Sequence, residues 1–217
     1  MDTYDVFKKK IDECPAIAIL RGVKPAEIEG LHDALENGGF TLAEVPLNSP
    51  EALESIRLLS AKYDQGGRIL IGAGTVLSEA DVVNAAAAGA RYMISPDSNP
   101  LVIRKTKALG LVSIPGFMTP TEGFSAIQAG ADYLKCFPCG RLGSGYIKDL
   151  KAVINAPILA VGGVNASNLS EYLRVADGVG IGSDLYKPGK SLSEINLAVQ
   201  ELVKALAAHK RLRPCGI

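Results

Sequence analysis

Histidine is almost missing from this chain: there are two in 217 residues, His32 and His209, and both fall in polar stretches of helical spacing. That scarcity narrows the chemistry. Metal-assisted carbon–carbon cleavage needs histidines and carboxylates gathered at strand ends. A serine or cysteine nucleophile needs a histidine base beside it. Neither set can be assembled here. Charge imbalance is missing too, with 23 basic and 23 acidic residues and no basic stripe interleaved with aromatics. Nucleic acid and membrane surfaces are therefore not expected partners. No apolar run reaches the ~18 residues of a membrane span. The stretch from Met1 to Lys10 is polar, without the apolar centre of a secretory leader, so a cytoplasmic location is expected.

Cysteine is sparse as well: Cys14, Cys136, Cys139 and Cys215. Cys136-Phe137-Pro138-Cys139 has the spacing of redox and zinc sites. A zinc ion would need two further ligands nearby, and a redox pair normally opens a helix, where the dipole lowers the thiol pKa. This pair sits at the end of a strand instead. It reads as a coincidence of small residues, in a protein with thiols but without structural disulfides. No metal and no cofactor are expected.

What is present is a large supply of core: 47% of the residues are hydrophobic and 21% charged. Short apolar, β-branched runs recur, each followed by a polar-capped helical stretch. The strands expected are 16–22, 42–48, 69–76, 92–96, 111–116, the run around Lys135, 157–163 and 179–183. The helices between them open at Pro25, Ser49-Pro50-Glu51, Ser78, Asn99, Thr119, Gly145 and Asn165 or Ser167, and a last one runs over 191–208. Gly38-Gly39, Gly89, Gly110 and Gly130 supply left-handed helix ends. Continuous apolar strands belong to a buried parallel sheet. Eight βα units close most economically as a (β/α)8 TIM barrel, with an extra N-terminal helix over 3–13 capping its base. A doubly wound open sheet is the competing architecture. There is no linker or composition shift, so residues 1–217 read as one domain.

The strand ends hold the chemistry, since that face carries the site in such barrels. Lys135 lies inside the apolar run Tyr133-Leu134-Lys135-Cys136-Phe137. A buried ammonium costs several kcal/mol unless it is paired or loses its proton. Only the neutral amine attacks a carbonyl, so burial is what imine chemistry asks of a lysine. A lysine that snorkels to solvent is the plain alternative. Glu44 sits in Ala43-Glu44-Val45-Pro46, equally apolar. It is either the ion-pair partner of Lys135 or a proton-transfer group beside it, and the second reading is preferred. Arg21 and Thr75 end the first and third strands, where they could face the same mouth or merely solvate a strand end. The seventh and eighth strands finish in Gly162-Gly163-Val164-Asn165 and Gly180-Ile181-Gly182-Ser183. Glycine admits an anion to the backbone, and a helix N-terminus would add donors. Two such turns on adjacent strands point to phosphate.

These residues carry a resemblance to the class I 2-keto-3-deoxy-6-phosphosugar-acid aldolases, from about Ala16 to Lys187. The matching runs are Ala18-Ile19-Leu20-Arg21-Gly22, Glu44-Val45-Pro46-Leu47-Asn48-Ser49-Pro50, Ile71-Gly72-Ala73-Gly74-Thr75-Val76-Leu77, Leu134-Lys135 with Phe137-Pro138, Ala160-Val161-Gly162-Gly163-Val164 and Gly182-Ser183-Asp184-Leu185-Tyr186. The resemblance implies a trimer of barrels in which Lys135 forms a Schiff base with pyruvate and Glu44 shuttles protons. Arg21 and Thr75 would hold the pyruvate-derived end of the substrate. Gly162, Gly163, Gly182 and Ser183 would bind its phosphate. The phosphogluconate branch of that family typically ends strand two with arginine and has threonine before the strand-seven glycines. Asn48 and Val161 stand there in this chain and resemble the phosphogalactonate branch. The expected reaction is cleavage of 2-dehydro-3-deoxy-6-phosphogalactonate to pyruvate and glyceraldehyde 3-phosphate. The gluconate epimer is the alternative substrate. A phosphate-binding isomerase or synthase barrel and a non-catalytic sugar-phosphate sensor are the alternative functions.

Overall fold

The computed structural model describes residues 2–212, with side chains for residues 2–209. Helix α1 (Thr3–Glu13) is followed by strand β1 (Ala16–Ile19), a 3₁₀ turn over Pro25–Glu27 and α2 (Ile28–Asn37). Then come β2 (Leu42–Pro46), α3 (Ala52–Asp64), β3 (Leu70–Gly74), α4 (Glu79–Ala87), β4 (Tyr92–Ile94) and α5 (Pro100–Ala108). The second half contains β5 (Val112–Ile114), β6 (Gly116–Phe117), α6 (Pro120–Ala129), β7 (Leu134–Cys136) and α7 (Gly143–Lys151). It ends with β8 (Ile158–Val161), α8 (Leu169–Tyr172), β9 (Gly178–Ile181) and α9 (Leu192–Leu212).

All strand pairs are parallel, in the order β5-β4-β3-β2-β1-β9-β8-β7-β6. The two end strands of that order are neighbours in the chain, separated only by Pro115. Proline has no N–H to give a ladder, so the single fifth strand expected over 111–116 divides there. Its first half pairs with β4 and its second with β7. Across the break, the N–H groups of Asp132 and Tyr133 donate to Ser113 O at 3.0 and 3.3 Å, and that of Lys135 to Pro115 O at 2.8 Å. The ring is thereby closed, and the architecture is a (β/α)8 barrel with nine strand segments among the described residues.

Alternation along the strands sends one set of residues inward and the other toward the helices. Ile17, Leu42, Leu70, Val112 and Leu159 fill the lower barrel. Helix α1 stoppers its base. Phe7 is fully buried, edge-on to Tyr92 and Tyr133 at 5.1 and 5.0 Å between ring centres. Ile11 lies against Gly178, where a Cβ would come within 3.2 Å of its Cδ1.

Ser78 with Asp81 and Thr119 with Glu122 make reciprocal caps at α4 and α6. Gly39, Gly89, Gly110 and Gly130 all have positive φ as expected, whereas Gly38 does not. Two helix starts differ from expectation. Ser49-Pro50-Glu51 is a turn, and α3 begins at Ala52, because Ser49 Oγ is engaged by the Gly22 N–H at 2.8 Å instead of capping a helix. After β8 the helix is a single turn beginning at Leu169, because Asn165 Oδ1 accepts the N–H of Ser167 and folds that segment as an Asx turn.

Candidate active site

Leu134 and Cys136 face the helices, so the intervening Lys135 points into the barrel, 5% exposed. Its Nζ stands 4.7 Å from the centre of the Phe137 ring. Among the described residues it has no carboxylate within ion-pair distance. Glu44, 2% exposed, occupies the inward position of β2 level with Ile19 and Gly72. Among the described residues its Oε2 has no hydrogen-bond partner. The carboxylate lies across Gly74: a Cβ on that glycine would sit 1.4 Å from Oε2. A void of about 10 Å³, roughly the room one water needs, is walled by both Glu44 and Lys135.

Burial pushes both groups toward neutrality. Desolvation lowers the pKa of Lys135; the charge of Glu44 opposes that fall and the charge of Arg21 deepens it. Desolvation raises the pKa of Glu44, against the pull of Lys135 and Arg21. Both shifts favour the uncharged forms, the amine of Lys135 and the carboxyl of Glu44. The ion-pair reading of Glu44 is not what the geometry shows: the two groups feel each other without touching.

Above this pair opens a cavity of about 700 Å³ at the C-terminal mouth of the barrel. Arg21, Thr75, Lys135 and Val161 line it, together with both glycine turns at Gly162, Gly163, Gly182 and Ser183. Of the residues singled out from sequence for substrate handling, Glu44 lies outside this wall, one layer below, and Asn48 stands behind Arg21. Arg21 Nη1 donates to Asn48 Oδ1 at 2.8 Å, so the end of β2 aims the guanidinium. Thr75 has φ +54°, a left-handed conformation that a β-branched residue adopts at a cost of about 1–3 kcal/mol. Such strain at a cavity wall is characteristic of functional positions.

Phe137 and Lys187 are among the wall residues that carried no assigned role in the sequence reading. Phe137 presents its ring to Lys135; its place two residues beyond that lysine was the available signal. Lys187 lines the mouth, on a strap whose Pro188 packs against Gly22. Nothing in the run Lys187-Pro188-Gly189 announces this, since an exposed lysine before Pro-Gly reads as a turn. Among the described residues the wall carries three basic side chains, Arg21, Lys135 and Lys187, and no carboxylate.

The helix N-termini expected behind the two glycine turns are not there. Helix α8 is four residues long and starts well beyond Gly163, and no helix follows Ser183 until Leu192. The donors available are the N–H groups of the turns themselves. Gly162 and Gly163 have φ +97° and +81°, and their carbonyls are held from behind. Gly162 O accepts the Gly140 N–H at 2.8 Å and the Cys139 thiol at 3.4 Å; Gly163 O accepts Asn168 Nδ2 at 2.9 Å.

Cys136 and Cys139 are free thiols, Cys14 is buried at the end of α1, and Cys215 lies outside the described residues. Burial raises the Cys136 and Cys139 thiols to about 12 and about 11, which leaves them protonated. No group of three or more potential metal ligands occurs among the described residues. His32 and His209 are on helices as expected but are buried, on α2 and α9.

Residues 7–202 match the family model described as KDPG and KHG aldolase. A protein of Rhizobium meliloti named as a probable 2-dehydro-3-deoxy-6-phosphogalactonate aldolase is 45% identical over 200 residues, 91% of this chain and 92% of its own. The 2-dehydro-3-deoxy-6-phosphogalactonate aldolase of Escherichia coli K12 is 41% identical over 194 residues, 88% of this chain and 94% of its own. Among solved structures, that of native KDPGal superimposes with a TM-score of 0.88 at 39% identity, covering 92% of this chain and 97% of its own.

Proposed function

The chain belongs to the KDPG and KHG aldolase family, and from that premise we propose that it is a Schiff-base aldolase cleaving 2-dehydro-3-deoxy-6-phosphogalactonate to pyruvate and glyceraldehyde 3-phosphate. One observation carries the reading: a lysine buried at the foot of the cavity, with a depressed pKa and no carboxylate in contact. A structural lysine would be paired; this one is kept available as an amine.

The neutral Lys135 amine attacks the C2 ketone, and loss of water gives a protonated imine. That positive charge draws in the electrons of the C3–C4 bond. Glu44, directly or through a water in the void it shares with Lys135, takes the C4 hydroxyl proton as the bond breaks. Glyceraldehyde 3-phosphate leaves. The enamine is protonated at C3 and the imine hydrolysed, releasing pyruvate and the free lysine. Arg21, held by Asn48, and the strained Thr75 grip the pyruvate-derived end. The turns at Gly162-Gly163 and Gly182-Ser183 receive the phosphate, with Lys187 adding positive potential at the mouth. Val161, a methyl-bearing residue on the wall, contributes to the choice between C4 epimers, a discrimination worth about 1–3 kcal/mol. The enzyme needs no metal on this account and acts as one 217-residue domain. By its family resemblance it is a cytoplasmic homotrimer.

Pyruvate release from the galactonate substrate and from its gluconate epimer, measured side by side with a chelator present, tests the proposal. Faster release from the galactonate compound is expected. Preference for the gluconate compound would overturn the epimer assignment while leaving the chemistry. Lys135→Ala should neither turn over nor gain mass with pyruvate and borohydride, and retained turnover would sink the Schiff base.

A further inference from the structure

We propose that Cys139 and Asn168 are positioning residues that aim the backbone N–H groups of Gly163 and Val164 at the substrate's phosphate. The inference rests on the reading of the Gly162-Gly163 turn as part of the phosphate site.

In a trans peptide the carbonyl and the N–H point in opposite directions. The Gly162–Gly163 and Gly163–Val164 peptides are both trans. Fixing the direction of each carbonyl therefore fixes the direction of the N–H that follows it. Gly162 O is held by two donors on its far side, the Gly140 N–H at 2.8 Å and the Cys139 thiol at 3.4 Å. Gly163 O is held by Asn168 Nδ2 at 2.9 Å, while Asn168 Oδ1 accepts the Asn165 N–H at 2.8 Å. The N–H groups of Gly163 and Val164 are thereby directed away from those donors, and both residues line the cavity. Among the described residues neither N–H has an acceptor.

The segment behind the turn is built to come this close. A Cβ on Gly140 would lie 2.7 Å from Gly162 O, so only glycine lets its N–H reach that oxygen. Cys139 is fully buried, and the Tyr172 hydroxyl donates to its carbonyl at 3.5 Å. This gives Cys139, one half of the Cys-x-x-Cys spacing, a role that needs neither metal nor disulfide. The thiol works as a buried hydrogen-bond donor.

Kinetics on two substrates test this: the phosphorylated keto-deoxy sugar acid and the same acid without its phosphate. Asn168→Leu removes the donor without adding charge. It should raise KM for the phosphorylated substrate about tenfold, the worth of one well-placed hydrogen bond, with kcat within about twofold. The kcat/KM for the unphosphorylated acid should not change. Cys139→Ala should raise the same KM by about threefold, since the Gly140 N–H remains, and Cys139→Ser should restore it. Equal losses on both substrates, no change on either, or a serine variant no better than alanine would overturn the positioning role. Wild-type enzyme indifferent to the phosphate would instead remove the phosphate assignment beneath it.

Discussion

Replacing Gly74 with alanine tests whether the placement of the Glu44 carboxylate, beyond its presence, sets the rate. The new Cβ would lie 1.4 Å from Glu44 Oε2 and 2.5 Å from its Cδ. Ordinary contact begins at 3.4 Å, so the carboxylate has to retreat by about 2 Å. A displacement of about 1 Å costs around 10²-fold in rate. Losing an acid–base group altogether costs about 10²–10⁴-fold. A fall in kcat between those limits is expected, read as pyruvate production in a coupled assay.

The added methyl should also cost about 1–3 kcal/mol of stability by overpacking, which lowers Tm by roughly 2–12 °C for a chain of this size. Lys135 is untouched, so borohydride trapping of pyruvate should persist. The double variant Gly74→Ala/Glu44→Gln should be about as slow as Glu44→Gln alone, because the same group cannot be lost twice. Wild-type kcat in Gly74→Ala, or losses that multiply in the double variant, would refute the reasoning.

Three further outcomes follow from the same geometry. Imine trapping needs the free amine, so its rate should rise with pH through the Lys135 pKa. Glu44 holds the proton on Lys135 and Arg21 drives it off, so the rise should come at lower pH in Glu44→Gln and at higher pH in Arg21→Gln; shifts in the same direction would remove this electrostatic account. Phe7→Ala should lose about 3–5 kcal/mol in urea melts, the usual cost of deleting a buried phenyl, and a loss under about 1 kcal/mol would mean that α1 does not seal the barrel. With thiols at about 12 and about 11, Cys136 and Cys139 should stay unlabelled by maleimide at pH 8 until denaturant is added. Labelling of either in the native protein, located by mass spectrometry, would contradict their burial.

The alternation of apolar strands and capped helices was legible because each signal was local. Thr119 with Glu122 and Ser78 with Asp81 bond within their own turns, and glycine at 89, 110 and 130 takes the φ that only it adopts freely. Lys135 was legible because an ammonium in an apolar strand is costly wherever that strand lies. What failed depended on partners far along the chain. Ser49 looks like a helix cap until Gly22, 27 residues earlier, takes its hydroxyl. The division of the fifth strand could have been read from Pro115, which cannot donate in a central ladder. The depth of Glu44 could not, since it depends on Gly74 leaving room on the neighbouring strand. Lys187 lines the mouth beside Pro188, which packs on Gly22, a contact with no sequence periodicity behind it.

The stopper formed by α1 has a consequence for traffic. With Phe7 and Ile11 filling the base, the cavity described opens at the other end of the barrel, beside the two glycine turns. On the proposed assignment the imine carbon sits at the far end and the phosphate near the door. Glyceraldehyde 3-phosphate must then depart before pyruvate, and in the reverse direction pyruvate must arrive first. On that assignment the barrel would work as a last-in, first-out stack, its order of events set by the end of the tube that α1 closes.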